Sequence, residues 1–208
     1  MMAPTPSSRD HSCPPCLILI TGLMAAGKST VAQALAERLP RSVHLRGDLF
    51  RRMIVNGRAE MGFDLSDEAL AQLRLRYHLA VIVAREYLAA DFTVVYQDII
   101  LGSGLADVVR LCRDLPLHVV VLCPSPVVVA QRETNRPKRG YGDLAWVEQF
   151  DQVLRSETPH LGLWLDSSSW MVDETVEQIL ANLEQARITW SEDALKLDRN
   201  GNSLEQEQ

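Results

Sequence analysis

Leu17-Ile18-Leu19-Ile20-Thr21-Gly22-Leu23-Met24-Ala25-Ala26-Gly27-Lys28-Ser29-Thr30 decides how the rest of the chain reads. Its first part is apolar with no polar alternation, the pattern of a strand covered on both faces. Its second part, Gly22 to Ser29, satisfies G-x-x-x-x-G-K-[ST] without gap or substitution. Beyond it, Val31, Leu35 and Leu39 share one helical face until Pro40 stops the helix. A glycine-bearing turn between a buried strand and a helix N-terminus is built to hold a phosphate. Gly22 and Gly27 permit backbone angles that a side chain forbids, so the amides of Leu23, Met24, Ala25 and Ala26 can turn inward around the anion. In that arrangement Lys28 reaches the β and γ phosphates of a nucleoside triphosphate, the Ser29 hydroxyl ligates Mg²⁺, and Thr30 can donate to the α phosphate.

Outward from this turn, short apolar runs alternate with helical patterns, the signature of stacked βα units on a parallel sheet. The expected strands are Cys16 to Thr21, Ser42 to Leu45, Phe92 to Gln97, His118 to Leu122 and Gly162 to Leu165. Helices are expected over Lys28 to Leu39, Leu49 to Ile54, Asp67 to Leu88, Leu105 to Asp114, Pro126 to Asn135, Leu144 to Arg155 and Glu174 to Ala186. The architecture implied is a three-layer α/β fold with about five parallel strands, helices on both faces and a small lid. Residues 1–15, rich in Pro and Ser, read as a disordered leader. Residues 16–190 read as one domain and the polar stretch 191–208 as a loose tail.

The 208 residues, 47% apolar and 23% charged, suit one medium-sized domain with a sizeable core. A net charge of -6 lacks the basic excess of a dedicated nucleic-acid binder. The stretch Cys16 to Ala26 is not read as a signal peptide, because only Arg9, beside Asp10, precedes it. No apolar run approaches the ~18 residues of a membrane span. The expectation is a cytoplasmic protein. Cys13-Pro-Pro-Cys16 precedes a strand where a redox pair follows one, and a zinc site wants a second such pair. His44, His78, His118 and His160 show no metal-ligand spacing, and the tryptophans read as core.

A second layer of residues separates kinases from switches and motors. Asp48 lies just past the second strand, on the sheet edge where ligands bind in open α/β folds, and could accept the proton of an attacking hydroxyl. Its bland alternative is a helix cap. Arg51 and Arg52 follow it, as substrate-binding groups or as solvated helix residues. Asp98 ends the apolar run Phe92 to Gln97, where an acid holds Mg²⁺ directly or through water, and it is expected among the substrate-binding residues too; the alternative is a turn former. The segment Arg132-Glu133-Thr134-Asn135-Arg136-Pro137-Lys138-Arg139-Gly140-Tyr141-Gly142 packs cations beside glycines. That composition suits a lid, about 132–143, whose Arg132 and Arg136 neutralise the transferring phosphoryl group; a plain basic loop is the rival.

Three segments together resemble the chloramphenicol phosphotransferase family of P-loop kinases: Gly22 to Ser29, Gln97-Asp98-Ile99-Ile100-Leu101-Gly102, and Arg132-Glu133-Thr134-Asn135-Arg136. The resemblance implies ATP-dependent phosphorylation of a small-molecule hydroxyl, an antibiotic among the candidates, with Asp48 as general base. Gly-Asp-x-x-Arg around Asp48 is also similar to zeta-toxin-like kinases, which phosphorylate a nucleotide sugar, and the fold is shared with gluconate and adenylylsulfate kinases. Gln97 departs from the first of the paired acids found at this strand end in chloramphenicol enzymes. A nucleotide hydrolase or switch without an acceptor is the rival enzyme class, and no N-K-x-D guanine signature is present. An RNA-end kinase would need a basic track that the acidic balance opposes.

Overall fold

Leu17 to Gly22 are all buried and form the middle strand of the sheet, β1 (Leu17–Gly22). In a computed structural model that describes residues 14–62, 65–135 and 145–190, four more strands flank it: β2 (Ser42–Arg46), β3 (Thr93–Gln97), β4 (Leu117–Leu122) and β5 (Leu163–Leu165). All pairings are parallel, in the order β2-β3-β1-β4-β5. Strands β3 and β4 are likewise buried along their whole length, which is why neither shows polar alternation. The result is the α/β fold with five parallel strands that the alternation of elements implies.

The helices among the described residues are α1 (Lys28–Arg38), α2 (Asp48–Arg52), α3 (Asp67–Ala89), α4 (Ser103–Leu111), α5 (Pro126–Thr134), α6 (Ala145–Gln152) and α7 (Val172–Ala181). Local chemistry sets their ends. The Ser66 hydroxyl accepts from Ala69 N–H at 3.2 Å, and Asp67 and Glu68 occupy the positive first turn of α3. Glu174 reaches back to Met171 N–H at 2.7 Å, so α7 begins two residues before the apolar pattern does. The same helix stops at Ala181 and passes into a 3₁₀ turn, Leu183–Ala186, where Asn182 Nδ2 caps Gln178 O at 2.8 Å. At the end of α6 the chain widens into one π-helical turn, Val153–Glu157, closed by Thr158 N–H on Val153 O at 3.0 Å.

The chain leaves β1 on one side toward β2 and β3 and later crosses to β4 on the other, so the carboxyl end of β1 is a topological switch point. The ladder ends there at Ile20 opposite Gln97, Gly22 opposite Leu122 and, one strand out, Arg46 opposite Gln97. The Thr21 hydroxyl ties this edge together, donating to Ile100 O at 2.8 Å and accepting from Ile100 N–H at 3.0 Å. No helix among the described residues is long and apolar enough to cross a membrane. Thirteen residues of the expected leader, the whole expected tail, and residues 136–143 of the expected lid with Arg136 lie outside the described residues.

Candidate active site

The turn Gly22 to Ser29 has the conformation its glycines were read for. Gly22 has φ of 141°, and a Cβ there would stand 2.2 Å from the backbone oxygen of Leu122. Gly27, with φ of 95°, opens α1. Ala25 takes a left-handed φ of 61° without being glycine, a strain that persists only where the surroundings over-determine it. Lys28, 7% exposed, points back into the loop, and its Nζ donates to Gly22 O at 2.9 Å and Leu23 O at 2.6 Å. A buried ammonium needs such acceptors, and these hold it where a phosphate cradled by the loop would meet it. Ser29 and Thr30 are exposed and face the same space.

That space is a cavity of about 440 Å³ over the carboxyl ends of β1, β2 and β3. Met24, Ala25, Gly27, Lys28, Ser29, Thr30, Asp48, Arg52, Asp98 and Arg132 line it, so most of the residues expected from sequence converge here. Gly22, Leu23 and Ala26 are not in its lining, and the last two are 1% exposed. Arg132, on α5, reaches across to the loop: one Nη donates to Ser167 O at 2.9 Å and the other to Ala26 O at 3.4 Å.

Asp48 begins α2 with its side chain about one-third exposed. Its Oδ2 is paired with Arg52, while its Oδ1 has no hydrogen-bond partner and stands 3.9 Å from Arg46 Nε. Asp48 accepts no backbone amide of its own helix, and the cap position belongs to Gly47, so the capping alternative does not describe it. Arg51 does not join the cavity. Its Nη2 donates to Ala59 O at 2.7 Å, and Gln72 of α3 holds the same loop through Ala59 N–H at 2.9 Å and Gly57 O at 2.7 Å. The loop after α2 is thereby strapped between two helices beside the site.

Asp98 is buried under four donors. Arg76 of α3 approaches with Nε at 2.7 Å from Oδ2 and with Nη2 on Oδ1; Tyr96 Oη donates to Oδ2 at 3.1 Å and Ile99 N–H to Oδ1 at 2.7 Å. Two carboxylate oxygens offer about four acceptor positions, and protein donors fill them. As a metal ligand Asp98 would have to release one of these donors. Burial pushes the Tyr96 phenol well above its ordinary range and the Tyr77 phenol up to about 12, so both remain hydrogen-bond donors. Gly47 makes the approach possible, since a Cβ there would lie 2.0 Å from Asp98 Oδ2.

Arg46, at the end of β2, and Arg76 line the cavity and were missed by the sequence reading, and for Arg76 the signal was available. Ala69, Tyr77, Ala80 and Ala84 mark the buried face of α3, and position 76 falls on that face at helical spacing. A charge on an apolar stripe calls for a buried partner. Burial is also the main reason the Arg76 guanidinium loses protons more readily than a solvated one.

The profile of the AAA_33 family, an AAA domain, matches residues 17–159, well over half of the chain. The chain belongs to the AAA_33 family. Among solved structures, this AAA_33 protein is similar to the tunicamycin resistance protein of Deinococcus radiodurans, at 19% identity over 84% of this chain and 99% of that one, with a TM-score of 0.61. It is similar to a gluconokinase from Sinorhizobium meliloti 1021 at 21% identity over 82% and 93%, TM-score 0.58. The APS kinase of Mycobacterium tuberculosis, in complex with AMPPNP and APS, matches at 21% identity over 82% and 98%, TM-score 0.60. No curated protein matches the AAA_33 chain. At these identities the structural likeness establishes the fold of the AAA_33 chain as that of P-loop kinases.

Proposed function

We propose that the protein is an ATP-dependent phosphotransferase that moves the γ-phosphoryl group of ATP to a hydroxyl of a small molecule. One observation carries this reading: Lys28, held inside the glycine turn, and Asp48, whose buried Oδ1 has no hydrogen-bond partner, line the same cavity. The first supports a triphosphate tail at the loop amides. The second is an acceptor atom for the proton of an incoming alcohol. The bond between the γ phosphorus and the β-γ bridging oxygen breaks, a bond to the acceptor oxygen forms, and the hydroxyl proton passes to Asp48. ADP leaves with the electron pair of the broken bond.

Lys28 and Arg132 would stabilise the charge on the transferring oxygens, and Arg136 is proposed to join them from the lid. Mg²⁺ keeps several waters and takes oxygen ligands largely from phosphates, so a site offering one hydroxyl fits it; Ser29 would hold it. The ion would screen the phosphate charges. Asp98 is proposed to act through its pairing with Arg76, shaping the floor of the site beneath the acceptor.

The test is incubation of the purified protein with γ-labelled ATP, Mg²⁺ and a panel of hydroxylated antibiotics, sugars, hydroxy acids and nucleosides. Label transferred to an acceptor, with a mass gain of one phosphoryl group, is the expected result. Release of labelled phosphate at a rate indifferent to every acceptor would make the protein a hydrolase or switch instead.

A further inference from the structure

Five cationic side chains, Lys28, Arg46, Arg52, Arg76 and Arg132, line the cavity against two carboxylates, Asp48 and Asp98. The whole chain carries a net charge of -6, so this positive excess is local and runs against the overall balance. Three of the cations are accounted for. Lys28 and Arg132 are tied to carbonyls of the glycine turn, on the nucleotide side, and Arg76 is bound by Asp98.

Arg46 and Arg52 remain, one from the end of β2 and one from the end of α2. Both are about half exposed, at 44% and 56%, and both face the single carboxylate of Asp48. Arg52 takes its Oδ2, whereas Arg46 comes no closer than 3.9 Å, too far for a hydrogen bond. Two guanidiniums thus share one negative charge, that of the carboxylate proposed to take the acceptor proton. A neutral acceptor would trap this uncompensated charge as the site closed, and a cation left unpaired in a drying site is costly. An oxyanion would instead meet a planar fork of donors suited to it.

We infer that the acceptor alcohol itself carries an oxyanion, a carboxylate, phosphate or sulfate, which Arg46 and Arg52 bind while its hydroxyl faces Asp48. The inference rests on the phosphotransferase reading above. It places the anion and the reacting hydroxyl on one small molecule, and it disfavours neutral antibiotics such as chloramphenicol.

The experiment first saturates the full chain with Mg²⁺ and AMPPNP, so that the glycine turn is filled, and then titrates in inorganic sulfate, followed by calorimetry and thermal melting. A second, saturable sulfate site is expected, weakened tenfold or more in Arg46→Gln and Arg52→Gln, in keeping with the loss of a charged hydrogen bond. Arg52→Lys should recover part of it. Matched acceptors supply the other arm: D-gluconate against D-glucose, and uridine monophosphate against uridine. The anionic member should be preferred, with the arginine variants raising its KM far more than they lower kcat.

If AMPPNP binds but sulfate does not bind further, or binds the variants and the wild type equally, the inference fails and the phosphotransferase reading stands. Better turnover of the neutral members has the same consequence. Failure of AMPPNP to bind would remove both.

Discussion

The ion pair between Arg76 and Asp98 permits a quantitative test. The Asp98 side chain is wholly buried and that of Arg76 is 12% exposed, so neither is screened as a surface pair would be. Arg76→Met keeps most of the stem and removes the charge, leaving a buried carboxylate with only Tyr96 and Ile99 as donors. Breaking one side of a buried pair costs about 3 to 5 kcal/mol. With a urea slope of roughly 2 to 3 kcal/mol/M, the unfolding midpoint should fall by about 1 to 2.5 M. Adding Asp98→Asn removes the orphaned charge, so the double variant should lose less than the sum of the single losses, with a coupling energy of about 2 kcal/mol or more. Urea unfolding of the four proteins by circular dichroism measures every term. A loss under about 1 kcal/mol for Arg76→Met, or strict additivity of the two substitutions, would refute the clamp.

Lys28→Ala should abolish phosphoryl transfer and weaken ATP binding, read by labelled transfer and calorimetry, because the ammonium held within the glycine turn by the Gly22 and Leu23 carbonyls is lost. Asp48→Asn should spare ATP affinity and lower kcat by about 10² or more, the usual range for a general base; undiminished transfer would remove Asp48 from that role. Gly47→Ala places a methyl group 2.0 Å from Asp98 Oδ2 and should lower stability by about 1 to 3 kcal/mol in the same urea assay. His118 is 5% exposed, and burial is the main cause holding its folded pKa below the unfolded 6.5. In that window the unfolded state binds more protons, so stability should be level above pH 6.5 and decline as pH falls below it; His118→Gln should flatten the decline.

The site was legible in part. The glycine turn, Lys28, Ser29 and Asp48 could be read because their chemistry depends on local order: a strand, a turn and a helix start within fourteen residues, then an acid at the next strand end. Asp98 was legible as a position and not as a set of contacts. Its donors come from α3, from Tyr96 and from its own neighbour Ile99, and only the first is distant in sequence. Arg51 and Arg52 looked equivalent, yet one straps the loop at Ala59 and the other faces Asp48, because successive residues of a helix point about 100° apart. The helix ends at Val172, Ala181 and Leu111 were displaced from the apolar pattern by caps and turn bonds that hydrophobic periodicity does not encode.

Sequence order alone determined the class of fold, the parallel run of the strands and the phosphate-binding turn, since each follows from residue types a few positions apart. Tertiary structure decided which charges pair and which are left to meet a ligand. Arg76 satisfies Asp98 across 22 residues of chain, and Arg132 reaches Ala26 across 106. Such pairings are selected by burial, which makes an unmatched charge costly, and burial exists only once the helices have packed onto the sheet.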